Sequence, residues 1–359
     1  MRSLPGLLQR AEAAPYSLSR EELAWLLRLG PGKDREAFHA AACRVRDRVS
    51  GPNVYLRGLL EIGSVCRKNC YYCGLRSGNP QAERYRLSGE TIIESALQVF
   101  RMRIGSVVLQ SGEIDSPEHT AFIEHIVHRI REETSPDFAI VLSLGEQSEE
   151  SYARWRAAGA TRYLLRVETS SPALYAKLHP EDHLWRTRVD CLRALRRQGY
   201  QVGTGVMIGL PGQSLEDLAD DILFFREVDA DMIGMGPFLP HLETPMKTAP
   251  ASEEERLCLA VNMVAAVRLY LHTCNVAATT ALQALAEDGR ERALCAGANV
   301  LMPNFTDIGH RQAYRLYPGK PVVDEISGET PLQRLCASIE ALGMKVAWNV
   351  PGTPPHFRA

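Results

Sequence analysis

Residues 54–73 read Val54-Tyr-Leu-Arg-Gly-Leu-Leu-Glu-Ile-Gly-Ser64, then one valine, then Cys66-Arg-Lys-Asn-Cys70-Tyr-Tyr-Cys73. The first part is a strand-like apolar run, and the second is a Cys-x3-Cys-x2-Cys run that begins where the strand ends. Three thiolates at this spacing can surround one small metal centre, but a closed tetrahedral site needs a fourth ligand. Because a metal site with a vacant position usually performs chemistry, the stretch predicts a reactive centre just beyond a strand.

Short apolar runs alternate with helical patterns along the rest of the chain. The eight runs are Val54–Ser64, Ser106–Gly112, Ala139–Gly145, Tyr163–Thr169, Val202–Gly209, Met232–Phe238, Val276–Thr280 and Asn299–Pro303. Alternation of strand and helix indicates parallel pairing. Eight such units over about 250 residues predict an α/β fold, the closed (β/α)8 or TIM barrel.

The first fifty residues have a helical pattern. Ser19-Arg-Glu-Glu22 is a capping box, and residues 34–50 resemble a second helix. Serines that precede acidic residues predict further helix starts at Ser88, Ser148, Ser214 and Ser252. We therefore expect residues 1–50 to form an N-terminal helical extension and residues 51–359 to form the barrel with a C-terminal extension.

The composition is that of an ordinary globular protein. Of the 359 residues, 45% are hydrophobic and 23% are charged, with a formal net charge of −2. This balance does not indicate nucleic acid or an anionic membrane as a partner, and no apolar run is long enough to predict a transmembrane helix. The N-terminus lacks the features of a signal peptide, so we expect a cytoplasmic protein. The six scattered cysteines are expected to be small buried hydrophobes rather than parts of a disulfide framework.

The predicted strands end in polar residues, and in such barrels chemistry takes place at the carboxyl ends of the strands. The most informative ends are Gln110-Ser-Gly-Glu113, Ser143-Leu-Gly-Glu146, Arg166-Val-Glu168, Gly209-Leu-Pro-Gly212 and Thr279-Thr280. Polar groups at all eight ends together predict a lined cavity.

Two interpretations of the three cysteines compete. They could belong to a structural zinc site with a distant fourth ligand, although the chain has no second Cys-x2-Cys and no His-x3-His. Alternatively, they could hold three irons of a 4Fe–4S cluster and leave the fourth iron open.

The spacing, with Tyr72 just before the last cysteine in the loop after the first barrel strand, resembles the radical S-adenosylmethionine (SAM) superfamily. The resemblance implies one 4Fe–4S cluster ligated by Cys66, Cys70 and Cys73, with SAM chelating the open iron. It further implies that one electron from the cluster cleaves SAM to methionine and a 5′-deoxyadenosyl radical.

The resemblance also implies which residues hold SAM. Ser111 and Glu113 correspond to a Gly-Gly-Glu-like motif that contacts the methionyl ammonium. The alternative interpretation is that these residues form a plain turn. Glu168 would bind the ribose or the ammonium, and Arg188 would bind the carboxylate in a bidentate manner. Arg166 and Glu168 share one face of their strand, so a structural salt-bridge network is the alternative. The set of SAM contacts that we predict is Tyr72, Ser111, Glu113, Arg166, Glu168, Arg188, Met207 and Gly209.

Further motifs resemble one family in particular, the FeFe-hydrogenase maturase HydE. They are Leu142-Ser-Leu-Gly-Glu146, Tyr163-Leu-Leu-Arg-Val-Glu-Thr169, Gly236-Pro-Phe-Leu-Pro-His241, Ala278-Thr-Thr-Ala281, Gly297-Ala-Asn-Val-Leu-Met-Pro-Asn304 and Tyr314-Arg-Leu-Tyr-Pro-Gly-Lys320. This resemblance implies that the radical acts on a cysteine-bound Fe(CO)2(CN) unit during assembly of the di-iron subcluster. It implies partner maturases and an electron donor such as ferredoxin or flavodoxin. The substrate would contact Thr279, Thr280, Met302, Arg311, Tyr314 and Tyr317.

The sequence departs from the family pattern at two places. Pro321-Val-Val-Asp-Glu-Ile-Ser-Gly-Glu-Thr-Pro331 has no cysteine, so we predict no second cluster, and Glu113-Ile-Asp115 differs from the usual Glu-Asp-Pro loop. Two other functions stay open. One is a HydE-like paralogue that acts on another small molecule, as an amino-acid mutase or a methylornithine synthase-like enzyme. The other is a non-enzymatic iron–sulfur scaffold or electron carrier.

Overall fold

The computed structural model describes residues 3–317 and 331–357. Its strands are β1 (Asn53–Leu56), β2 (Gly58–Gly63), β3 (Ser106–Ser111), β4 (Ala139–Ser143), β5 (Arg162–Leu164), β6 (Gln201–Thr204), β7 (Met207–Ile208), β8 (Met232–Ile233), β9 (Gly236–Pro237), β10 (Asn275–Val276), β11 (Val300–Leu301) and β12 (Lys345–Val346). Its helices are α1 (Leu4–Ala13), α2 (Arg20–Leu27), α3 (Lys33–Ser50), α4 (Gly89–Arg101), α5 (Pro117–Glu132), α6 (Glu149–Ala158), α7 (Pro172–Leu178), α8 (Trp185–Arg197), α9 (Leu215–Glu227), α10 (Glu253–Leu271), α11 (Thr280–Gln283), α12 (Gly289–Leu294), α13 (Ile308–Ala313) and α14 (Pro331–Ala341).

Parallel strands form the centre of the molecule. Seven of them make one sheet in the order β10-β8-β6-β5-β4-β3-β2. Parallel bridges at Ala277–Val300 and at Leu59–Asn304 then connect the β11 segment to both edges of that sheet. The strand segments therefore close into a ring surrounded by helices, which confirms the predicted α/β barrel.

Several predicted strands are less regular than their apolar runs suggested. The runs 202–209 and 232–238 each divide into two short strands, β6 and β7 and then β8 and β9. The run 54–64 is divided at Arg57, and its first part, β1, also pairs with β12 near the C-terminus. The run 163–169 is regular only to Leu164. Beyond it, Glu168 has a φ of +67°, in the left-handed region, which regular strand pairing does not allow.

The predicted helix starts are present. Ser19 forms a capping box with Glu22, and α3 begins at Lys33, one residue before the predicted start. The side chains of Ser88, Ser148, Ser214 and Ser252 each accept a backbone N–H of the first helical turn. The N-terminal helices bury Leu23 and Phe38 in the same hydrophobic core as the barrel. The boundary between residues 1–50 and 51–359 stays a prediction.

The C-terminal segment crosses the amino end of the barrel. Arg162 Nη1 donates to the carbonyl of Pro351 at 2.6 Å, and Asn275 Nδ2 donates to the carbonyl of Gly352 at 2.6 Å. Because this end is covered, access to the interior is from the carboxyl ends of the strands. Among the described residues, no helix combines the length and the apolar composition that a membrane crossing requires.

Candidate active site at the carboxyl end of the barrel

The three cysteines lie together in the loop that follows β2. The Cys66 sulfur accepts the backbone N–H of Glu113 at 3.3 Å, and the Cys73 sulfur accepts that of Leu75 at 3.4 Å. Burial raises the pKa of the Cys70 thiol to about 12 and also raises the pKa values of Cys66 and Cys73. Buried thiolates at this position therefore need a cationic centre, which metal ligation supplies.

The arrangement of the three thiolates is compatible with a four-iron cluster. Within residues 3–317 and 331–357, no three His, Cys, Asp or Glu side chains converge on a point that could hold one ion. A four-iron cluster binds each thiolate to a different iron, so its thiolates need not converge. The prediction that no second cluster follows Pro321 concerns residues 321–330, which lie outside the described part.

The end of β3 packs directly against the cysteine loop. A Cβ added to Gly112 would lie 2.3 Å from the carbonyl oxygen of Val65 and 2.7 Å from the Cβ of Cys66. The backbone N–H of Arg67 also donates to the carbonyl of Glu113 at 2.8 Å. The glycine of the Ser-Gly-Glu motif is therefore required by close backbone approach.

One cavity of about 370 Å³ joins the cysteine loop to the far side of the barrel interior. This volume is in the range of small-molecule sites. The predicted residues that line it are Tyr72, Cys73, Ser111, Arg166, Glu168, Arg188, Met207, Thr279, Thr280, Met302, Tyr314 and Tyr317. The structure thus brings most of the predicted SAM contacts and substrate contacts to the same cavity.

Glu168 presents its carboxylate to this cavity. Its buried Oε2 forms an ion pair with Arg166 Nη2 at 3.0 Å but accepts no hydrogen bond among the described residues. The left-handed φ of Glu168 is held by its backbone bonds to Gly205 and Met207. A strained residue whose buried carboxylate oxygen accepts no hydrogen bond suits the binding of hydroxyl or ammonium donors.

Arg188 lines the cavity from α8 and uses part of its guanidinium within the protein. Nε donates to Glu146 Oε1 at 2.6 Å, and Nη1 donates to the carbonyl of Arg166 at 2.7 Å. Among the described residues, Nη2 has no hydrogen-bond partner. A guanidinium held in this way can still offer its Nη2 edge to a ligand carboxylate.

Two charged residues that are connected to Arg188 by hydrogen bonds, Glu146 and Lys68, had no predicted role. Glu146 Oε2 accepts Lys68 Nζ at 2.6 Å, and Lys68 also lies 3.5 Å from Glu113. Burial would raise the pKa of Glu146, but Arg188 and Lys68 outweigh burial, so the pKa is lowered. The signals in the sequence were a lysine between two cysteine ligands and a glutamate at a strand end.

The far side of the cavity has polar groups that the sequence analysis also missed. Gln110 Nε2 donates to the Tyr314 hydroxyl at 3.3 Å, and Asn304 Nδ2 donates to Glu61 Oε2 at 3.1 Å. Arg57 lines the same cavity just before β2, towards the amino ends of the strands, with Nε and Nη2 unpartnered, and burial lowers its pKa to about 10. A charged residue inside an apolar strand run was the available signal.

Several predicted residues lie outside the lining of the cavity. Cys66, Cys70 and Glu113 are behind it in the cysteine loop and its support, and Gly209 is in the turn after β7. Arg311 lines a separate pocket beside α4, and its Nε donates to the Thr306 carbonyl. We therefore leave Arg311 out of the proposed substrate site.

Comparison with known proteins shows which families the chain is similar to. The family model described as the Radical SAM superfamily matches residues 60–225. The [FeFe] hydrogenase maturase subunit HydE from Thermotoga maritima is 41% identical over 339 residues, which are 94% of this chain and 94% of that protein. The 3-methylornithine synthase from Methanosarcina acetivorans is 27% identical over 290 residues, covering 80% of this chain and 79% of that protein. The crystal structure of a methylornithine synthase has a TM-score of 0.77 at 25% identity, over 97% of this chain and 98% of the other.

The barrel, the cysteine loop and the matched family model define a radical SAM enzyme. Identity of 41% over nearly the full length then narrows the class. The chain belongs to the HydE family of this superfamily. Both resemblances seen in the sequence are thereby confirmed.

Proposed function

We propose that the protein is a maturase of FeFe hydrogenase that uses SAM radical chemistry on a small iron-containing substrate. The observation that carries this proposal is the single cavity that connects Cys73 to Tyr314 through Glu168 and Arg188. One end of that cavity has the donors for a cluster and SAM, and the other end has space and polar groups for a second molecule. The 41% identity to HydE supports the choice of substrate class.

The chain supplies the binding groups. Cys66, Cys70 and Cys73 would ligate a 4Fe–4S cluster, which, when bound, provides the electron that cleaves SAM to a 5′-deoxyadenosyl radical. Glu168 would accept hydrogen bonds from SAM through its carboxylate, and Arg188 would donate to the SAM carboxylate. The apolar walls, which include Met207, would limit the access of water to the reacting centre.

The far side would hold the substrate, a cysteine-bound Fe(CO)2(CN) unit delivered by a partner maturase. Thr280 and Tyr314 line this side, and deeper in the same cavity, towards the amino ends of the strands, the buried cation Arg57 has two unpaired N–H groups that a negatively charged ligand could accept. A ferredoxin or flavodoxin would supply the electron. These groups suit a carboxylate or cyanide ligand better than an apolar molecule.

The test is turnover of the reconstituted, reduced protein with a synthetic cysteine-ligated iron dicarbonyl cyanide unit. We expect consumption of that unit together with SAM, detected by infrared bands of the carbonyl and cyanide ligands. If the rate of SAM cleavage does not change with the iron unit but increases with a free amino acid, the result would instead favour a HydE-like paralogue that acts on another small molecule. This alternative function is based on the similarity of the chain to methylornithine synthase. A scaffold or electron carrier would bind a cluster and cleave no SAM.

A further inference from the structure

We propose that Glu146 is a positioning residue that aims Arg188 at the SAM carboxylate and couples it to the cysteine loop through Lys68. The inference rests on the proposed function, because it assigns a role in SAM binding. Glu146 itself does not line the cavity, whereas Arg188 does. It therefore acts through Arg188 rather than by touching SAM.

The geometry is that of one carboxylate shared by two elements. Oε1 of Glu146 accepts Arg188 Nε at 2.6 Å, and Oε2 accepts Lys68 Nζ at 2.6 Å. The side chains of Glu146, Arg188 and Lys68 are only 4%, 8% and 13% exposed. Both oxygens are engaged, so the carboxylate bridges α8 and the loop that bears the cysteines.

The backbone around Glu146 is built for this position. Gly145 has a φ of +77°, and a Cβ added to it would lie 2.3 Å from Glu113 Oε2. The same Glu113 oxygen accepts the backbone N–H of Glu146 at 2.7 Å. Glycine at residue 145 thus allows the turn that places Glu146 between the two cations.

A fixed Nε is what orients an arginine. The guanidinium is planar, so a hydrogen bond at Nε together with one from Nη1 to the Arg166 carbonyl fixes the direction of Nη2. Without the carboxylate, Arg188 and Lys68 would be two buried cations with one fewer counter-charge, and the long side chain of Arg188 would lose its orientation. Supporting groups of this kind commonly change binding or activity about 10- to 100-fold when they are removed.

The experiment compares Glu146→Gln and Glu146→Asp with the wild-type protein. Glu149→Gln is the matched control, because Glu149 is an exposed partner of Arg197 on the neighbouring helix. Each protein is reconstituted, and its iron content, circular dichroism and dithionite-driven formation of 5′-deoxyadenosine are measured. The spectrum of the reduced cluster is recorded by electron paramagnetic resonance with and without SAM.

We expect Glu146→Gln to keep its iron and its fold but to raise the KM for SAM about tenfold or more. The SAM-dependent change in the cluster spectrum should then need correspondingly more SAM. Glu146→Asp, which keeps the charge, should recover part of this loss, and Glu149→Gln should match the wild type. An unchanged KM in Glu146→Gln would overturn the inference.

Loss of the cluster in both Glu146 variants would also overturn the inference, because the role would then be structural. If only Glu146→Gln loses the cluster, the KM of Glu146→Asp for SAM becomes the test of the inference. A wild-type KM in that variant would contradict the role of Glu146 in positioning Arg188. Wild-type protein that holds iron but cleaves no SAM would refute the proposed function instead. Equilibrium binding of SAM to the wild type and to Glu146→Gln would still test the role of Glu146.

Discussion

The backbone N–H of Glu113 donates to the sulfur of Cys66 at 3.3 Å. This contact joins the end of β3 to the cysteine loop, and Gly112 is the residue that makes such an approach possible. The loop that would hold the cluster is thus built against a barrel strand and is not an independent surface feature. Its geometry should depend on the size of the residue at position 112.

Gly112→Ala is expected to weaken cluster binding. The new Cβ would lie 2.3 Å from the Val65 carbonyl, so the loop or the strand must shift, at a cost of about 1–3 kcal/mol. Iron per chain after reconstitution and the thermal midpoint both measure the effect. Gly30→Ala is the control, because nothing lies within 4 Å of its Cβ. Wild-type iron content in Gly112→Ala would contradict this account of the motif.

Cys70→Ala should abolish both cluster binding and SAM cleavage while the barrel stays folded. The reason is that the site has three cysteine ligands for the cluster, and the two that remain are not enough to hold it. Iron analysis, SAM cleavage and circular dichroism together check this outcome. Cys258→Ala, a half-buried cysteine in α10, should leave all three unchanged. About four irons per chain in Cys70→Ala would show that the ligand assignment is wrong.

Arg57→Met is expected to decrease the use of the substrate while it changes the stability of the fold only slightly. Arg57 is a buried cation with two unpartnered N–H groups, so its removal is expected to cost at most about 1 kcal/mol of folding free energy. Formation of 5′-deoxyadenosine without substrate should persist, whereas consumption of the anionic iron unit should decrease. Thermal melts and paired assays with and without the unit distinguish the two effects. Normal use of the unit would remove Arg57 from the substrate site.

Asp221 should make stability depend on pH. Its Oδ1 accepts the Ser170 N–H at 2.5 Å, and burial raises its pKa from 3.8 to about 7. Between about pH 4 and 7 the unfolded chain releases this proton while the folded chain keeps it, so Asp221 lowers the stability progressively as the pH rises. Asp221→Asn keeps an acceptor and should abolish this decrease, giving a gain of up to a few kcal/mol at pH 8 and little at pH 4.

Urea unfolding of the wild type and Asp221→Asn from pH 4 to 8 measures this difference directly. Asp220→Asn is the control, because Asp220 lies on the same helix as Asp221 and is an exposed ion-pair partner of Arg20 in α2. Parallel pH curves for the wild type and Asp221→Asn would show that Asp221 is already ionised in the folded protein.

The features that could be predicted from the sequence are those that depend on residues close together in the chain. Cysteine spacing, serine caps and apolar runs each depend on a few neighbouring residues, so the cluster loop and the strand order could be predicted. The contact of Glu146 with Lys68 and Arg188 joins three elements, and only the closed barrel brings them together. The same holds for Arg311, because the separate pocket that it lines is formed with residues of α4, far away in the chain.

The central claim is that Cys66, Cys70 and Cys73 form a site at which SAM is cleaved. The most direct measurement is the amount of 5′-deoxyadenosine formed when the reconstituted protein is reduced with dithionite and mixed with SAM under anaerobic conditions. The account predicts 5′-deoxyadenosine and methionine in equal amounts, and none from Cys70→Ala. A fully loaded, reduced cluster that leaves SAM intact would contradict it.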